Sequence, residues 1–488
     1  MKLLPDALTG RDLPPGPRGL DNARFIVRTT TDFMGPLVEM ASRYGPVSST
    51  FGRGRVLVVL ASHEPARHVL ITNQDNYEKG IEYELLRIVL GNGLLTSEGD
   101  DWRRQRRLVQ PLFAKRHIAE FTGFMTDATR DSLETGPLSG LVEGARIDMN
   151  EAMMELTLDV VGRALFGADL TGETARRVGP AMNDVLRLGS RMVRRLPTFL
   201  LASLPGFDLQ RAIGLNPESI RFRRAVSDLR GIIDSLLLER EASGDPGDDL
   251  FGLMLSTTDP DTGQPMDRGL IADELMTFML AGHETTSNAL SWTFRWLSLN
   301  PEARERLIAE VDSVLGDRTP NFEDSDRLPW TKAVVEESMR LTPPVWMVGR
   351  RALEEDEVGG ERIPAGASAM VLIRMIHRDP EVWENPEGFD PRRFLPENRS
   401  DLPRSAYMPF GAGRRICVGS TFALVEATLL LAMISQRYEF DLPAWAPVAE
   451  EAAVTLRPRG GLEMLARPRA GSGSAPAPAT PVAAGRDD

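Results

Sequence analysis

Cysteine is nearly absent: one residue, Cys417, in a chain of 488. No intrachain disulfide and no two-cysteine metal clip can form, so the sequence carries no sign of an oxidising compartment. Apolar runs of the ~20 residues needed to cross a bilayer are also missing. The N-terminus, MKLLPDALTGRDLPPGPRGL, lacks the apolar centre of a secretion signal, and a cytoplasmic location is expected. Positive charge is in deficit, with 57 Lys and Arg against 70 Asp and Glu. The resulting net charge of −13 favours solubility and argues against general nucleic-acid binding. No Ser/Gly/Pro-rich linker breaks the chain before its C-terminal tail. Although length alone suggests two or three domains, the 42% hydrophobic content points to a single large one with room for a sizeable internal cavity.

What is present is mostly helical pattern. Residues 1–20 are polar and proline-broken and are expected to be extended, whereas RVLVVLAS (55–62) reads as a strand after a Gly-Arg-Gly turn. Asn216 and Pro217 make a cap and first-turn pair for an amphipathic helix running to Gly244. Asp267 caps a second long helix, stopped by Pro301 and roughly 50 Å long at 1.5 Å per residue. Short strands are expected within 350–366 and 454–468. Residues 469–488 are low-complexity and expected to be disordered. The fold class is mainly α with a small β component.

The lone cysteine stands in F-G-A-G-R-R-I-C-V-G, residues 410–419. A solitary cysteine is ordinarily a small core side chain, but this context differs. The segment from Pro391 to Cys417 has little periodicity, and its glycines Gly411, Gly413 and Gly419 let backbone pass close to a large flat ligand. Phe410 can shield one side of the sulfur. A helix restarts after Gly419, and its N-terminus favours a thiolate.

These residues resemble the haem-ligand signature F-x-x-G-x-R-x-C-x-G of the cytochromes P450, matched at Phe410, Gly413, Arg415, Cys417 and Gly419. Three further matches occur in the family's order: A-G-H-E-T-T at 281–286, E-x-x-R at Glu337 and Arg340 followed by L-T-P-P, and P-x-R-F at Pro391, Arg393 and Phe394. The resemblance covers residues 14–468. It implies a single-domain P450 fold with a long central helix over haem b, and Cys417 as the axial thiolate. It implies that Glu284 and Thr285 form the relay delivering protons for oxygen activation, and that Glu337, Arg340 and Arg393 hold the cysteine loop through a buried charge network. Trp102 and Arg106 in W-R-R-Q-R-R (102–107), with Arg350 and Arg415, are the expected partners of the haem propionates, while Phe410, Gly411 and Ala281 lie against the ring.

On the long helix, Phe278, Ala281, Gly282, Thr285 and Ala289 share one face. The pair Ala281–Gly282 is expected to open room for oxygen, with His283 as a polar neighbour lining the groove. The substrate pocket is expected from Tyr83, Leu85, Leu86, Phe278, Ala281, Val345, Trp346, Met347 and Val454, mostly apolar side chains suited to a fatty acid, terpenoid or polyketide-like compound. The implied activity is monooxygenation with O2. Because no reductase domain follows in the sequence, an acidic ferredoxin or flavodoxin with its NAD(P)H reductase is the expected electron donor. Arg103, Arg104 and Arg107 are either solvated or part of its docking patch. A peroxygenase or isomerase of the same haem-thiolate type, or a non-catalytic haem sensor, stands as the alternative.

Overall fold

The computed structural model describes residues 13–52, 55–80, 82–167, 217–445 and 448–469, together with Val178, Ala181, Met182, Asp184, Val185, Leu188 and Gly189. Most of the 1–20 segment, the 469–488 tail beyond Arg469 and the Asn216 cap lie outside these residues. The elements used below are helices α1 (Gly19–Arg28), α2 (Met34–Tyr44), α3 (Glu82–Leu90), α4 (Gly99–Val109), α5 (Lys115–Glu134), α6 (Met149–Phe166), α7 (Pro217–Ser243), α8 (Arg268–Leu299), α9 (Pro301–Val314), α10 (Pro329–Leu341) and α11 (Ser420–Arg437). The strands are β1 (Val47–Gly52), β2 (Arg55–Leu60), β3 (Tyr77–Lys79), β4 (Arg146–Asp148), β5 (Val348–Ala352), β6 (Asp356–Val358), β7 (Glu361–Ile363), β8 (Ser368–Val371), β9 (Tyr438–Asp441), β10 (Glu450–Ala452), β11 (Leu456–Pro458) and β12 (Glu463–Pro468).

Helix α8 organises the molecule. Asp267 caps it by accepting the Leu270 N–H at 3.1 Å, and Pro301 opens the next helix after a one-residue break. Nearly every turn of α8 is buried, against α6 along one side and α10 and α11 along others. A helix buried almost all round is a core helix. Here the core runs through α5, α6, α7, α8, α10 and α11.

The β component is small and lies to one side. A five-stranded sheet has the order β1-β2-β8-β5-β3, with β2 and β8 parallel and the other neighbours antiparallel. It buries Val58, Leu60, Ala369 and Val371 in a second core. A three-stranded sheet β4-β12-β9 and the hairpins β6-β7 and β10-β11 complete it. The first sheet carries Lys79 and Arg350 to the cysteine loop, and the β10-β11 hairpin reaches α8.

Candidate active site

The cysteine loop is tied to itself and to the first sheet's helices. Cys417 N–H donates to the Phe410 carbonyl at 2.9 Å, closing the loop around the sulfur. Gly413 has φ of 69°, and a Cβ there would stand 1.9 Å from the Leu70 carbonyl oxygen, so only glycine fits. Gly419 caps α11 and its N–H points at the Cys417 sulfur. Cys417 is exposed at its edge, yet enough protein surrounds the sulfur for burial to push the thiol up. The Gly419 N–H and the Arg106 guanidinium oppose that push. A donor and a cation aimed at one sulfur are what a thiolate requires.

At its middle, α8 is opened on one face. Ala281 is exposed and Phe278, Gly282 and Thr285 are half-buried, whereas Leu280, His283, Glu284 and Thr286 are buried. Phe113 connects this stripe to the cysteine loop: its ring packs edge-on to Phe278 at 5.3 Å and lies 3.7 Å from where a Gly419 Cβ would stand. Two expectations change here. Gly282 is small because α6 packs on it, a Cβ there meeting Val161 at 2.9 Å, so Ala281 alone opens the stripe. His283 does not line the groove. It is buried with a ring N–H donated to the Met154 carbonyl, and burial lowers its pKa to about 4.

Glu284 and Thr285 diverge. The Thr285 hydroxyl donates to the Ala281 carbonyl at 2.7 Å on the open stripe. Glu284 is buried and turned away, its Oε1 accepting the Thr455 hydroxyl at 2.7 Å. Burial raises the Glu284 pKa, against the Thr455 hydrogen bond and the Arg457 charge.

Cations converge beside the loop. Arg415 donates to the Ser97 carbonyl at 3.0 Å, pairs with Glu98 and lies 4.1 Å from the centre of the buried Trp102 ring. Burial lowers its pKa to about 10. Arg106 donates to the Ile416 carbonyl at 2.8 Å. Arg350 sits directly across from Lys79 in the β3–β5 register, and like charges placed opposite one another destabilise a sheet. Burial first, then the Arg415 and Arg350 charges against the partial relief of Glu98, push the Lys79 ammonium down to about 6. Lys79 was not anticipated: a lone lysine in Y-E-K has no sequence signal, and only strand register brings it here.

The Cytochrome P450 family model matches residues 14–462. The putative cytochrome P450 132 of Mycobacterium tuberculosis is 38% identical over 427 residues, 85% of this chain and 89% of that protein. The cyclooctat-9-en-7-ol 5-monooxygenase of Streptomyces melanosporofaciens is 34% identical, covering 84% of this chain and 86% of the relative. Among solved structures, the cytochrome P450DA haem domain superposes with a TM-score of 0.81 at 25% identity, over 94% of this chain and 98% of that one. The chain is a cytochrome P450. It is a haem-thiolate monooxygenase that uses O2 and electrons from a redox partner.

The residues present fit the haem of this P450. A sulfur with a helix N–H and a cation beside it suits an iron-bound thiolate, and opposed cations suit two carboxylates. Among the pocket candidates, Leu86, Phe278, Val345 and Met347 are partly buried, Val454 is 43% exposed, and the Leu85 side chain lies outside the described residues. Trp346 is corrected: at 1% exposed it is a core residue, packed edge-on to Phe33 with its indole N–H on the Ala453 carbonyl. Tyr83 is corrected too, because it bonds Arg350 and lies under Lys79, on the cation side.

In this P450 the E-x-x-R pair is fully buried. Arg340 bonds both Glu337 oxygens, at 2.7 and 2.8 Å, and spends its remaining N–H groups on the His377, Pro386 and Gly388 carbonyls. Arg393 comes to 3.5 Å from Glu337 and donates to the Glu384 carbonyl. His377 then passes the connection on, its Nε2 accepting the Met408 N–H at 2.9 Å just before Phe410. The surface arginines are less free than expected: Arg103 pairs with Asp100, Arg104 with Asp259 and Arg107 with Asp261. Among the described residues no helix is long and apolar enough to cross a membrane.

Proposed function

We propose that this P450 oxygenates an apolar, terpenoid-sized substrate lying along the α8 stripe. The observation that carries the reading is that stripe: Phe278, Ala281 and Thr285 accessible in the middle of an otherwise buried helix. Its one polar accessible group is the Thr285 hydroxyl, so burial of apolar surface is the main source of affinity. Relatives named for the oxygenation of cyclooctat-9-en-7-ol and of pentalenene support a terpenoid over a fatty acid or polyketide-like compound. Substrate-induced changes in haem absorbance, measured across terpenoids and fatty acids, test this. Saturable shifts for fatty acids alone would overturn it.

In this reading residues 14–468 form the catalytic domain and the Cys417 thiolate would hold the haem iron. Haem held there supplies oxygen binding and activation. Arg106, Arg350, Arg415, Trp102 and Lys79 would hold its propionates, and Phe410, Gly411 and Ala281 would line the site of the ring. Thr285, its hydroxyl turned from the Ala281 carbonyl, would donate and accept hydrogen bonds where oxygen binds. Glu284 supplies protons to it. Electrons arrive from a separate ferredoxin or flavodoxin docking near α4 and the cysteine loop, where Arg106 lies against Ile416.

A further inference from the structure

Glu284 does not hang free beside Thr285. It ends a directed chain of hydrogen bonds that begins on another helix. Asn150, at the start of α6, donates its amide to Asn288 Oδ1 at 3.2 Å. Asn288 in turn donates to Thr455 Oγ1 at 3.2 Å. With that oxygen accepting, the single hydroxyl proton of Thr455 goes to Glu284 Oε1 at 2.7 Å. Asn288 and Thr455 are 1% and 3% exposed, so their partners are not exchanged for water. Every donor in the chain points toward the carboxyl, which is therefore held as an acceptor.

The holder is not part of α8. Thr455 lies in the turn of the β10-β11 hairpin, beside the 43% exposed Val454 and two residues from Arg457. Arg457 on β11 is the charge acting on Glu284, and it is itself paired with Glu451 on β10 at 2.9 Å. From α6 and α8 come the neutral Asn150 and Asn288. The hairpin thus supplies both the hydrogen bond and the charge that favour the ionised acid.

We propose that Thr455 is a positioning residue for Glu284: its hydroxyl holds the carboxyl against the C-terminal hairpin and sets how readily that acid gives up its proton. This rests on the reading of Glu284 as proton source. The step moves one proton and changes nothing else. The Glu284 O–H bond breaks as an O–H bond forms on a water at Thr285, and the carboxylate regains a proton from solvent.

The test uses the haem-loaded full chain with Thr455→Val, which keeps the shape and removes the hydroxyl, and Thr455→Ser, which restores it. Infrared difference spectra between the parent and Glu284→Gln isolate the protonated-carboxyl stretch of Glu284, followed as a function of pH. In Thr455→Val the ionised form loses its donor, so its protonation midpoint rises by about one pH unit, a tenfold tighter hold on the proton; Thr455→Ser returns it to the parental value. Oxygen uptake driven by NAD(P)H through a ferredoxin and its reductase, which needs no chosen substrate, slows about tenfold in both Thr455→Val and Glu284→Gln, and the double variant is no slower than Glu284→Gln alone. A midpoint unmoved in Thr455→Val overturns the proposal while leaving Glu284 as proton source. Full additivity in the double variant overturns it as well, because Thr455 then acts elsewhere. If Glu284→Gln leaves oxygen uptake unchanged, the proton-source reading falls and the proposal with it.

Discussion

At the scale of single residues, this P450 shows chemistry set by partners more than by residue type. At Cys417 burial pushes the thiol up, and the Gly419 N–H and the Arg106 guanidinium partly offset that push. Cys417→His should abolish the carbon-monoxide absorption band of a thiolate-ligated haem, and survival of that band would refute the ligand assignment. Thr285→Ala removes the polar group of an apolar stripe, and the expected outcome is uncoupling: reductant is consumed while hydrogen peroxide replaces product. Product formed per NAD(P)H measures it, and an unchanged ratio would exclude Thr285 from oxygen activation. Lys79 yields a prediction with a sign. Burial and the neighbouring arginines, against partial relief from Glu98, push its ammonium down to about 6, well below the ordinary value of 10.5, and a propionate beside it would restore the proton. Haem binding between those values therefore takes up a proton, so haem is held more tightly at pH 6 than at pH 9. Haem loss to a scavenger should accelerate as pH rises in the parent and respond less to pH in Lys79→Met. Equal pH dependence in the two proteins would remove Lys79 from the propionate site.

At the scale of elements, the cysteine loop has almost no regular structure and borrows its rigidity. Helix α10 supplies it, through Arg340 to His377 and from His377 to Met408 N–H. Arg340 uses all five guanidinium donors, so no other side chain replaces it. Arg340→Ala leaves the buried Glu337 with Arg393, 3.5 Å away, as its remaining cation, at a cost of ~3–5 kcal/mol. The expected protein melts lower and loses haem on dialysis, and Arg340→Lys rescues little of either. Full haem content with parental melting would show that the loop is held by other contacts.

At the scale of the whole molecule, an acidic chain with an arginine-rich helix near its haem suggests electrostatic steering of an acidic donor. The ion pairs temper that argument. Arg104 is bonded to the buried Asp259, so reversing its charge would disturb the loop before α8 as well as the surface. Arg103 is the cleaner probe, its partner Asp100 being almost fully exposed at 95%. Lys115 and Arg116 are exposed at the start of α5, the next long helix along the chain. Arg103→Glu with Lys115→Glu should slow first-electron transfer from a ferredoxin at low salt and flatten its salt dependence, with the carbon-monoxide spectrum unchanged. Stopped-flow reduction as fast as the parent at low salt would place docking on another face.

What depends on local order was legible along the chain. The Asp267 cap, the long helix and its Pro301 stop, the glycines around Cys417 and the Glu337–Arg340 spacing are all read within one turn or one loop, because caps, turns and i,i+3 pairs act at short range. The mainly helical class followed from periodicity in the same way. Tertiary structure alone decided what depends on register and on facing elements. Strand pairing set Lys79 against Arg350, and the β10-β11 hairpin set Thr455 against Glu284. Packing of α6 gave Gly282 its purpose, buried His283 and left Ala281 open, while the fit beside α2 made Trp346 core. Charge counting found the arginines near Trp102 but not the acids that pair with Arg104 and Arg107, because Asp259 and Asp261 lie far along the chain. Such pairings are chosen by which surfaces meet, and no local signal records them.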